Sequence, residues 1–242
     1  MLNILTHGDP SNPKLLIAHG LYGSGRNWGV IAKRLSDTYH VICPDMRNHG
    51  SSPWFETHNY FDMATDLAEL LDGPTRVVGH SMGGKAAMVL ALQHPELVEK
   101  LVVADIAPVG YSHDQSQHID AMRAVDLSRV EKRSEAGENL DPMVRDFLLQ
   151  SLDVKEKKWK LNLDVLEAEM PNVIGFPQVQ GTFEGPTLFL SGAESDYVLP
   201  EHRTGIKALF PAARFAKLNG AGHWLHAQKP REFEAALRTF LA

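Results

Sequence analysis

The sequence predicts an α/β fold: a mostly parallel central sheet with helices on both faces and a helical cap inserted between late strands. Short apolar runs, typical of strands buried on both faces, alternate with stretches of helical periodicity. Residues 79–83 (GHSMG) join one such run to a helix through a glycine-rich turn. About eighty residues between Asp105 and Thr187 have helical periodicity and no buried-type strand, and plain loops of that length are rare.

The predicted strands are short runs in which almost every residue is apolar. Residues 15–18 (LLIA) and 101–104 (LVVA) have this pattern, and Val77 and Val78 lead into the turn at Ser81. Because helices separate the strands, the connections are expected to be right-handed crossovers between parallel neighbours. The predicted strands are 2–6 at an edge, 15–18, 40–43, the run before Ser81, 101–104, 187–190 and 214–218.

The predicted helices have apolar residues three and four positions apart. Ile31, Ala32 and Leu35 share one face, and Lys85 begins a stretch rich in Ala, Met and Leu. The chain is therefore expected to divide into a first core part at 1–110, a helical cap at 111–185 and a second core part at 186–242. The predicted helices are 28–35, 61–71, 85–94, 201–210 and 231–241 in the core, and 119–125, 143–152 and 163–170 in the cap.

Length and composition indicate a globular chain with a sizeable core. The 242 residues are 43% hydrophobic and 22% charged, which is typical neither of a disordered chain nor of a membrane protein. The net charge of -6 argues against nucleic acid as a partner, because phosphate binding needs a clustered basic surface. No apolar stretch has the length of a membrane span, and no pattern in the sequence assigns an oligomeric state.

The single cysteine, Cys43, indicates a reducing compartment. One cysteine forms no intrachain disulfide, and its position in the apolar run 41–43 (VIC) predicts a buried structural thiol. Residues 1–9 have neither the basic nor the apolar region of a secretory leader. We therefore expect a cytoplasmic protein.

Ser81 lies where a nucleophile would be held between a strand and a helix. Such a turn strains the serine backbone and is tolerated only if Gly79 and Gly83 leave room for close packing. The following helix directs its free N–H groups and the positive end of its dipole toward charge that develops beside Ser81. The alternative is a glycine-rich turn with an incidental serine, and the strand and helix around it favour the nucleophile.

A serine hydroxyl needs a base to activate it, and His223 is the predicted base. It lies in 219–224 (NGAGHW), a loop whose glycines allow an imidazole to return over the sheet edge after the last buried strand. His226 is the alternative base. The two histidines could also suggest a metal site, but no carboxylate lies in the same loop as a third ligand, so no metal is predicted.

Two aspartates could orient this histidine, and Glu194 is a third candidate that ranks below them. Asp105 ends a predicted strand next to the strand of Ser81, and Asp196 follows a later strand. Residues 192–198 (GAESDYV) fit the GxxDxxV frame of a later-strand acid, except that Ser195 takes the fourth position and Asp196 follows one residue late. That slip redirects the side chain. Asp105 is therefore preferred, with Asp196 as the alternative.

The loop 19–21 (HGL), just after the strand 15–18, is predicted to supply half of an oxyanion site. Its donors would be the backbone N–H groups of Leu21 and Met82. Since the backbone donates, many side chains would be acceptable at these two positions, whereas position 20 would require glycine. Removal of one such donor costs on the order of 3 to 4 kcal/mol of transition-state stabilisation. The nearby glycines do not have the spacing of a dinucleotide site.

These motifs resemble those of α/β-hydrolases over nearly the whole chain, and more narrowly those of YbfF-type esterases and their mitochondrial abhydrolase relatives. The DMRNHG and DIAP stretches are more specific to that family than the others are. In the family the aspartate of DIAP is the acid, which supports Asp105. The motifs that carry the resemblance are 19–24 (HGLYGS), 44–50 (PDMRNHG), 79–85 (GHSMGGK), 105–108 (DIAP) and 222–227 (GHWLHA).

The resemblance implies hydrolysis of small carboxylic esters or thioesters with short to medium acyl chains, and no cofactor. Ser81 would attack the acyl carbonyl, His223 would act as base, and Asp105 would hold the imidazole tautomer. Tyr22 and Trp224, beside the oxyanion loop and the base, are predicted to contact the substrate. The alternatives are a cofactor-free haloperoxidase or carbon–carbon hydrolase with the same triad, and a non-catalytic binding protein on the same fold.

Overall fold

The computed structural model of the chain describes residues 1–112, 115–138 and 140–242. Its central sheet has the strand order β1-β3-β2-β4-β5-β8-β9, and β6 pairs with β7 in a separate hairpin. The described residues form the strands β1 (Ile4–His7), β2 (Lys14–Ala18), β3 (His40–Pro44), β4 (Thr75–His80), β5 (Val98–Ala104), β6 (Leu152–Asp153), β7 (Lys158–Trp159), β8 (Thr187–Gly192) and β9 (Ala213–Leu218).

The helices connect these strands, and short 3₁₀ turns extend several of them. The helices are α1 (Gly29–Leu35), α2 (Tyr60–Ala68), α3 (Met82–Gln93), α4 (Ser116–Arg123), α5 (Arg145–Leu148), α6 (Leu163–Ala168), α7 (Met170–Ile174), α8 (His202–Leu209), α9 (Leu225–Gln228) and α10 (Pro230–Leu241). Across residues 1–112, 115–138 and 140–242, no helix combines the length and the hydropathy that crossing a bilayer requires.

The predicted, mostly parallel sheet is confirmed. β1 pairs antiparallel with β3 at one edge, and the remaining neighbours in the sheet are parallel. The carboxyl ends of β2, β4, β5, β8 and β9 therefore meet at one edge, where open α/β sheets bind their ligands. The loops after these five strands contain the residues that the sequence singles out for chemistry.

The sheet separates two hydrophobic cores, one on each face. In β2, Leu16 and Ala18 pack in the core of α2 and α3, whereas Leu15 and Ile17 pack in the core of α1 and α10. All four side chains are fully buried. A strand covered on both faces needs apolar residues at every position, which is why β2 reads as a continuous apolar run.

Residues 111–185, which we call the cap segment, connect β5 to β8. They contain α4 to α7 and the hairpin of β6 and β7. Their side chains Met122, Trp159 and Leu166 are buried and belong to the same core as α2 and α3. The hairpin lies against the loop after β3, where the Gly50 N–H donates to the Lys160 carbonyl at 2.8 Å.

Two predicted cap helices are shorter in the structure. The region 143–152 forms α5 followed by a 3₁₀ turn at Leu149–Ser151. The region 163–170 is interrupted at Glu169, and α7 then begins with Pro171 in its first turn. A proline donates no N–H and is tolerated only in the first turn of a helix, so it starts a new helix there.

Candidate active site

Ser81 lies on the sharp turn between β4 and α3. Its backbone has φ of 52° and ψ of −121°, outside the regions that L residues prefer, and its N–H donates to the Ala104 carbonyl at 3.1 Å. A Cβ atom at Gly79 would lie 2.3 Å from the Gly83 carbonyl oxygen, and one at Gly83 would lie 2.5 Å from the His19 carbonyl oxygen. Both glycines are therefore required by close backbone packing around the serine.

His223 and Asp105 are in direct contact. The Nδ1 atom of His223 is 2.9 Å from Oδ2 of Asp105, and the aspartate side chain is fully buried. Two further donors reach the same carboxylate: the Gly192 N–H, 2.9 Å from Oδ1, and the Ser195 hydroxyl, 2.5 Å from Oδ2. Since Nδ1 of His223 donates to the carboxylate, Nε2 is left as the basic nitrogen.

Asp196, the alternative acid, lies elsewhere. Its side chain is exposed, and His223 makes its carboxylate contact with Asp105. Ser195, which takes the fourth position of the GxxDxxV frame, contacts Asp105 from the later loop. The later-strand loop therefore contributes a hydroxyl donor to the carboxylate rather than a carboxylate of its own.

Tyr197 and the buried His80 both contact His223. The ring of Tyr197 stacks on His223 with centroids 4.0 Å apart and planes at 20°, and Nε2 of His80 donates to the His223 carbonyl at 2.8 Å. His226, the alternative base, instead stacks on Trp28 at 4.3 Å. Burial lowers the pKa of His226 to about 3 and the pKa of His80 well below its ordinary value. Both are therefore neutral near pH 7.

The predicted oxyanion loop lies against the serine. A Cβ atom at Gly20 would be 3.2 Å from Cβ of Ser81, so this loop and Ser81 are in contact. The Gly20 carbonyl accepts from Nδ1 of His19 at 2.8 Å and from the Gly23 N–H at 3.0 Å. In a trans peptide the N–H points opposite to the carbonyl, so these two bonds fix the direction of the Leu21 N–H. Met82 is the first residue of α3, and its N–H has no intrahelical acceptor.

A cavity of about 350 Å³ opens above these residues. Its lining is mostly apolar, as in sites that bind small molecules. Ser81, His223, Leu21 and Met82 lie on its wall, and the cap segment supplies its far side. Tyr22 and Trp224, the predicted substrate contacts, line it together with Tyr60, Lys85, Tyr111, Phe147, Leu148 and Tyr197.

The cavity wall also contains residues that the sequence does not predict there. Lys85 is predicted only as the start of a helix, yet its ammonium lies in the cavity wall, 4.8 Å from the centre of the Tyr111 ring. Tyr197 and Ser195 are predicted only as positions in the loop frame 192–198, and that frame does not indicate their contacts with His223 and Asp105. Among the described residues, no three His, Cys, Asp or Glu side chains converge on a possible metal position.

Comparison with known proteins gives the family. Residues 15–236 match the alpha/beta hydrolase family. The chain is 40% identical to mouse (Mus musculus) sn-1-specific diacylglycerol lipase ABHD11, over 98% of this chain and 84% of that protein. It is 37% identical to esterase YbfF of Escherichia coli K12, over 96% of this chain and 94% of that protein.

A solved structure agrees with the sequence relatives. A marine microorganism esterase superposes on the chain with a TM-score of 0.93 at 38% sequence identity, covering 99% of this chain and 98% of that one. Sequence similarity and fold similarity thus extend over the same residues, including the loops at the carboxyl edge of the sheet. The chain therefore belongs to the α/β-hydrolase family, in its esterase-type group with YbfF and ABHD11.

Proposed function

We propose that the chain is a serine esterase that cleaves carboxylic esters or thioesters through an acyl-enzyme on Ser81. The observation that carries the proposal is the contact of His223 with the buried Asp105, at the edge of the sheet where Ser81 lies on its strained turn. The esterase-type relatives support ester hydrolysis as the reaction. No step of the proposed reaction needs a cofactor.

In the proposed mechanism His223 takes the Ser81 proton on Nε2 while the alkoxide attacks the acyl carbonyl. The Leu21 and Met82 N–H groups stabilise the oxyanion of the tetrahedral intermediate. His223 then protonates the leaving alcohol or thiol, and water attacks the acyl-enzyme by the same steps. Asp105 keeps the imidazole in the tautomer with its proton on Nδ1 and stabilises the imidazolium.

The size of the cavity supports the proposal that the substrates have short to medium acyl chains. Its volume of about 350 Å³ lies toward the small end of the range for small-molecule sites. Phe147 and Trp224 contact each other with ring centroids 6.4 Å apart, at the boundary of the cap segment and the base loop. We propose that this aromatic pair limits the length of the acyl group.

The domain division is proposed with the same site in view: core parts at 1–110 and 186–242, and a cap at 111–185. It is supported by the insertion of the cap segment between two neighbouring strands, β5 and β8.

A cytoplasmic location is also proposed. Burial raises the pKa of the Cys43 thiol to about 12, which suits a structural thiol in a reducing compartment.

The test is Ser81→Ala, assayed with p-nitrophenyl acetate. We expect kcat to fall by roughly 10³-fold or more, because the oxyanion donors and substrate binding leave only residual catalysis. A fluorophosphonate probe should label the wild type and not this variant. Full activity in Ser81→Ala would exclude the mechanism. The same assay across esters of two to sixteen carbons, diacylglycerol and acyl-CoA would assign the acyl length and the ester or thioester preference.

A further inference from the structure

The turn from Gly20 to Gly23 has an unusual residue at its third position. The Gly23 N–H donates to the Gly20 carbonyl at 3.0 Å, and Tyr22 has φ of 63° whereas Leu21 has no positive φ. This is the pattern of a type II turn, in which glycine normally takes the third position. A tyrosine with left-handed backbone is strained, so surrounding groups must hold it there.

His49 contacts this turn from the loop after β3. Its Nε2 accepts the Tyr22 N–H at 3.1 Å, and its Nδ1 donates to the Arg47 carbonyl at 2.8 Å. The two contacts assign the neutral tautomer with the proton on Nδ1. His49 is fully buried, and burial lowers its pKa well below the ordinary value. The Nε2 lone pair is therefore kept for Tyr22.

The cap segment holds the same residue from its other side. The Ser151 hydroxyl donates to the Tyr22 carbonyl at 2.8 Å, and the Tyr22 hydroxyl donates to the Gln115 carbonyl at 2.8 Å. Ser151 is buried, so water does not replace it readily. The N–H and the carbonyl of Tyr22 are thus each fixed by one buried side chain, the first from the core and the second from the cap segment.

We propose that His49 and Ser151 are positioning residues for ester hydrolysis, which hold Tyr22 in its left-handed conformation and so keep the turn closed by the bond from the Gly23 N–H to the Gly20 carbonyl. The Leu21 N–H belongs to the same peptide as that carbonyl, so the closed turn keeps it directed at the oxyanion. This inference rests on the proposed function and assigns a further role within it. If the peptide between Leu21 and Tyr22 rotated by half a turn, the Leu21 carbonyl would face the Nε2 lone pair of His49. Two acceptors in contact repel each other, so His49 disfavours the rotated turn.

Two substitutions of His49 separate its two hydrogen bonds. In His49→Asn the side-chain amide can keep the donor to the Arg47 carbonyl, but the shorter side chain places no acceptor within reach of the Tyr22 N–H. In His49→Gln the longer side chain can keep the acceptor and loses the donor. With p-nitrophenyl acetate we expect kcat of His49→Asn to fall roughly 10- to 100-fold below wild type at nearly unchanged KM. We expect kcat of His49→Gln to be at least about tenfold higher than kcat of His49→Asn.

A second measurement reports on the oxyanion itself. A trifluoromethyl ketone forms a tetrahedral adduct on a serine, so its affinity should weaken in His49→Asn by the same factor as kcat/KM. If His49 only stabilised the fold, both variants would have a lower thermal unfolding midpoint. Their kcat/KM and their affinity for the trifluoromethyl ketone, per folded molecule, would then equal those of wild type. Equal kcat and equal inhibitor affinity in the two variants, with active wild type, would overturn the role of His49 and leave the proposed function intact. Wild type without esterase activity would instead refute the proposed function.

Ser151→Ala keeps the inference testable if the His49 variants fold poorly. It removes one hydroxyl from the cap-side contact and leaves the Tyr22 side chain in place. We expect a kcat loss of roughly 3- to 10-fold, again with matching loss of trifluoromethyl ketone affinity. Wild-type kcat and wild-type inhibitor affinity in Ser151→Ala would overturn its part of the inference.

Discussion

The buried Asp105 carboxylate is held by three hydrogen-bond donors. Its two oxygens accept from His223, the Gly192 N–H and the Ser195 hydroxyl. A buried carboxylate is costly unless hydrogen bonds replace its water, and these three donors do so. Its own backbone has φ of 53°, so the side chain leaves β5 in a direction that an ordinary strand residue would not give.

This geometry predicts different results for the two aspartates that the sequence proposes as acid. In Asp105→Asn one carboxylate oxygen becomes an NH₂ group. If the remaining oxygen accepts from His223 and Ser195, the NH₂ group faces the Gly192 N–H, and in the other orientation it faces His223 and Ser195. We expect kcat to fall by about 10⁴-fold, as when the wrong imidazole tautomer is stabilised. Asp196→Asn should remain within about twofold of wild type, since this exposed side chain lies off the His223 contact.

Steady-state kinetics with p-nitrophenyl acetate on the two variants, at equal folded concentration, measure the difference. A greater loss in Asp196→Asn than in Asp105→Asn would assign the acid to the later loop and contradict the contact at 2.9 Å.

The sequence predicts those site residues whose role follows from their immediate neighbours. GxSxG between a strand and a helix is a local pattern that points to Ser81, and the loop after the last buried strand points to His223. The contacts of Ser195 and His49 are not predicted, because their partners are distant in sequence: Ser195 contacts a carboxylate 90 positions away. The tautomer of His49 likewise depends on both Tyr22 and Arg47.

At the scale of elements, the strand–turn–helix unit of β4 and α3 determines where Ser81, the proposed nucleophile, lies. The close approach of Gly79 to Gly83 lets the helix begin immediately after Ser81. The dipole of α3 and its first free N–H groups are thereby directed at the reaction centre. The stability of the turn and the proposed catalysis at Ser81 thus depend on the same backbone contact.

We predict that Gly79→Ala destabilises the fold, whereas Gly205→Ala stabilises it. The new Cβ at position 79 would be within 2.3 to 2.7 Å of three backbone atoms of Gly83 and Gly84, none of which can move without moving α3. We expect a loss of about 3 kcal/mol in the free energy of unfolding. Gly205 lies within α8 with no atom within 4 Å of an added Cβ, so alanine there should add about 0.5 to 1 kcal/mol.

Urea unfolding of the two variants, followed by circular dichroism, gives both free energies. The prediction is wrong if Gly79→Ala is as stable as wild type, because the turn would then tolerate a side chain that its backbone spacing excludes.

The elements that the sequence predicted well are those with a pattern of their own. β2, β5 and β8 contain the apolar runs 15–18, 101–104 and 188–190, and the amphipathic α10 extends over Pro230–Leu241 where 231–241 was predicted. The hairpin of β6 and β7 has two residues in each strand, too few for any periodicity. Its existence depends on contacts with the loop after β3, and no local propensity encodes those contacts.

At the scale of the whole molecule, Lys85 joins the catalytic helix to the cap segment. It lies one turn after Ser81 in α3, and its Nζ donates to the Ile174 carbonyl at 2.9 Å and to the Gly175 carbonyl at 2.5 Å, at the end of α7. The rings of Tyr60 and Tyr111 lie 5.7 and 4.8 Å from the ammonium. The two carbonyls and the two rings replace part of the water that a buried ammonium loses.

This arrangement predicts a pH dependence of stability. Burial lowers the pKa of Lys85 from 10.5 to about 7, so between these values the unfolded chain binds a proton that the folded chain has released. Stability rises with pH wherever the unfolded state binds more protons. The free energy of unfolding of wild type, relative to Lys85→Met, should therefore rise on the order of 1 kcal/mol per pH unit from about pH 7 toward pH 10.

Urea unfolding of wild type and Lys85→Met across this pH range measures the difference. Lys33→Met, at an exposed position on α1, is the matched control, and its free energy of unfolding should depend on pH as that of wild type does. The titratable groups around Lys85 do not supply the same slope, because burial raises the pKa values of Tyr60 and Tyr111 above their ordinary value and keeps both phenols neutral here. Parallel curves for wild type and Lys85→Met would mean that Lys85 keeps its proton inside the fold. The contact of α3 with the end of α7 would then be a permanent ion–dipole contact, and the link between the nucleophile helix and the cap segment would not respond to pH in this range.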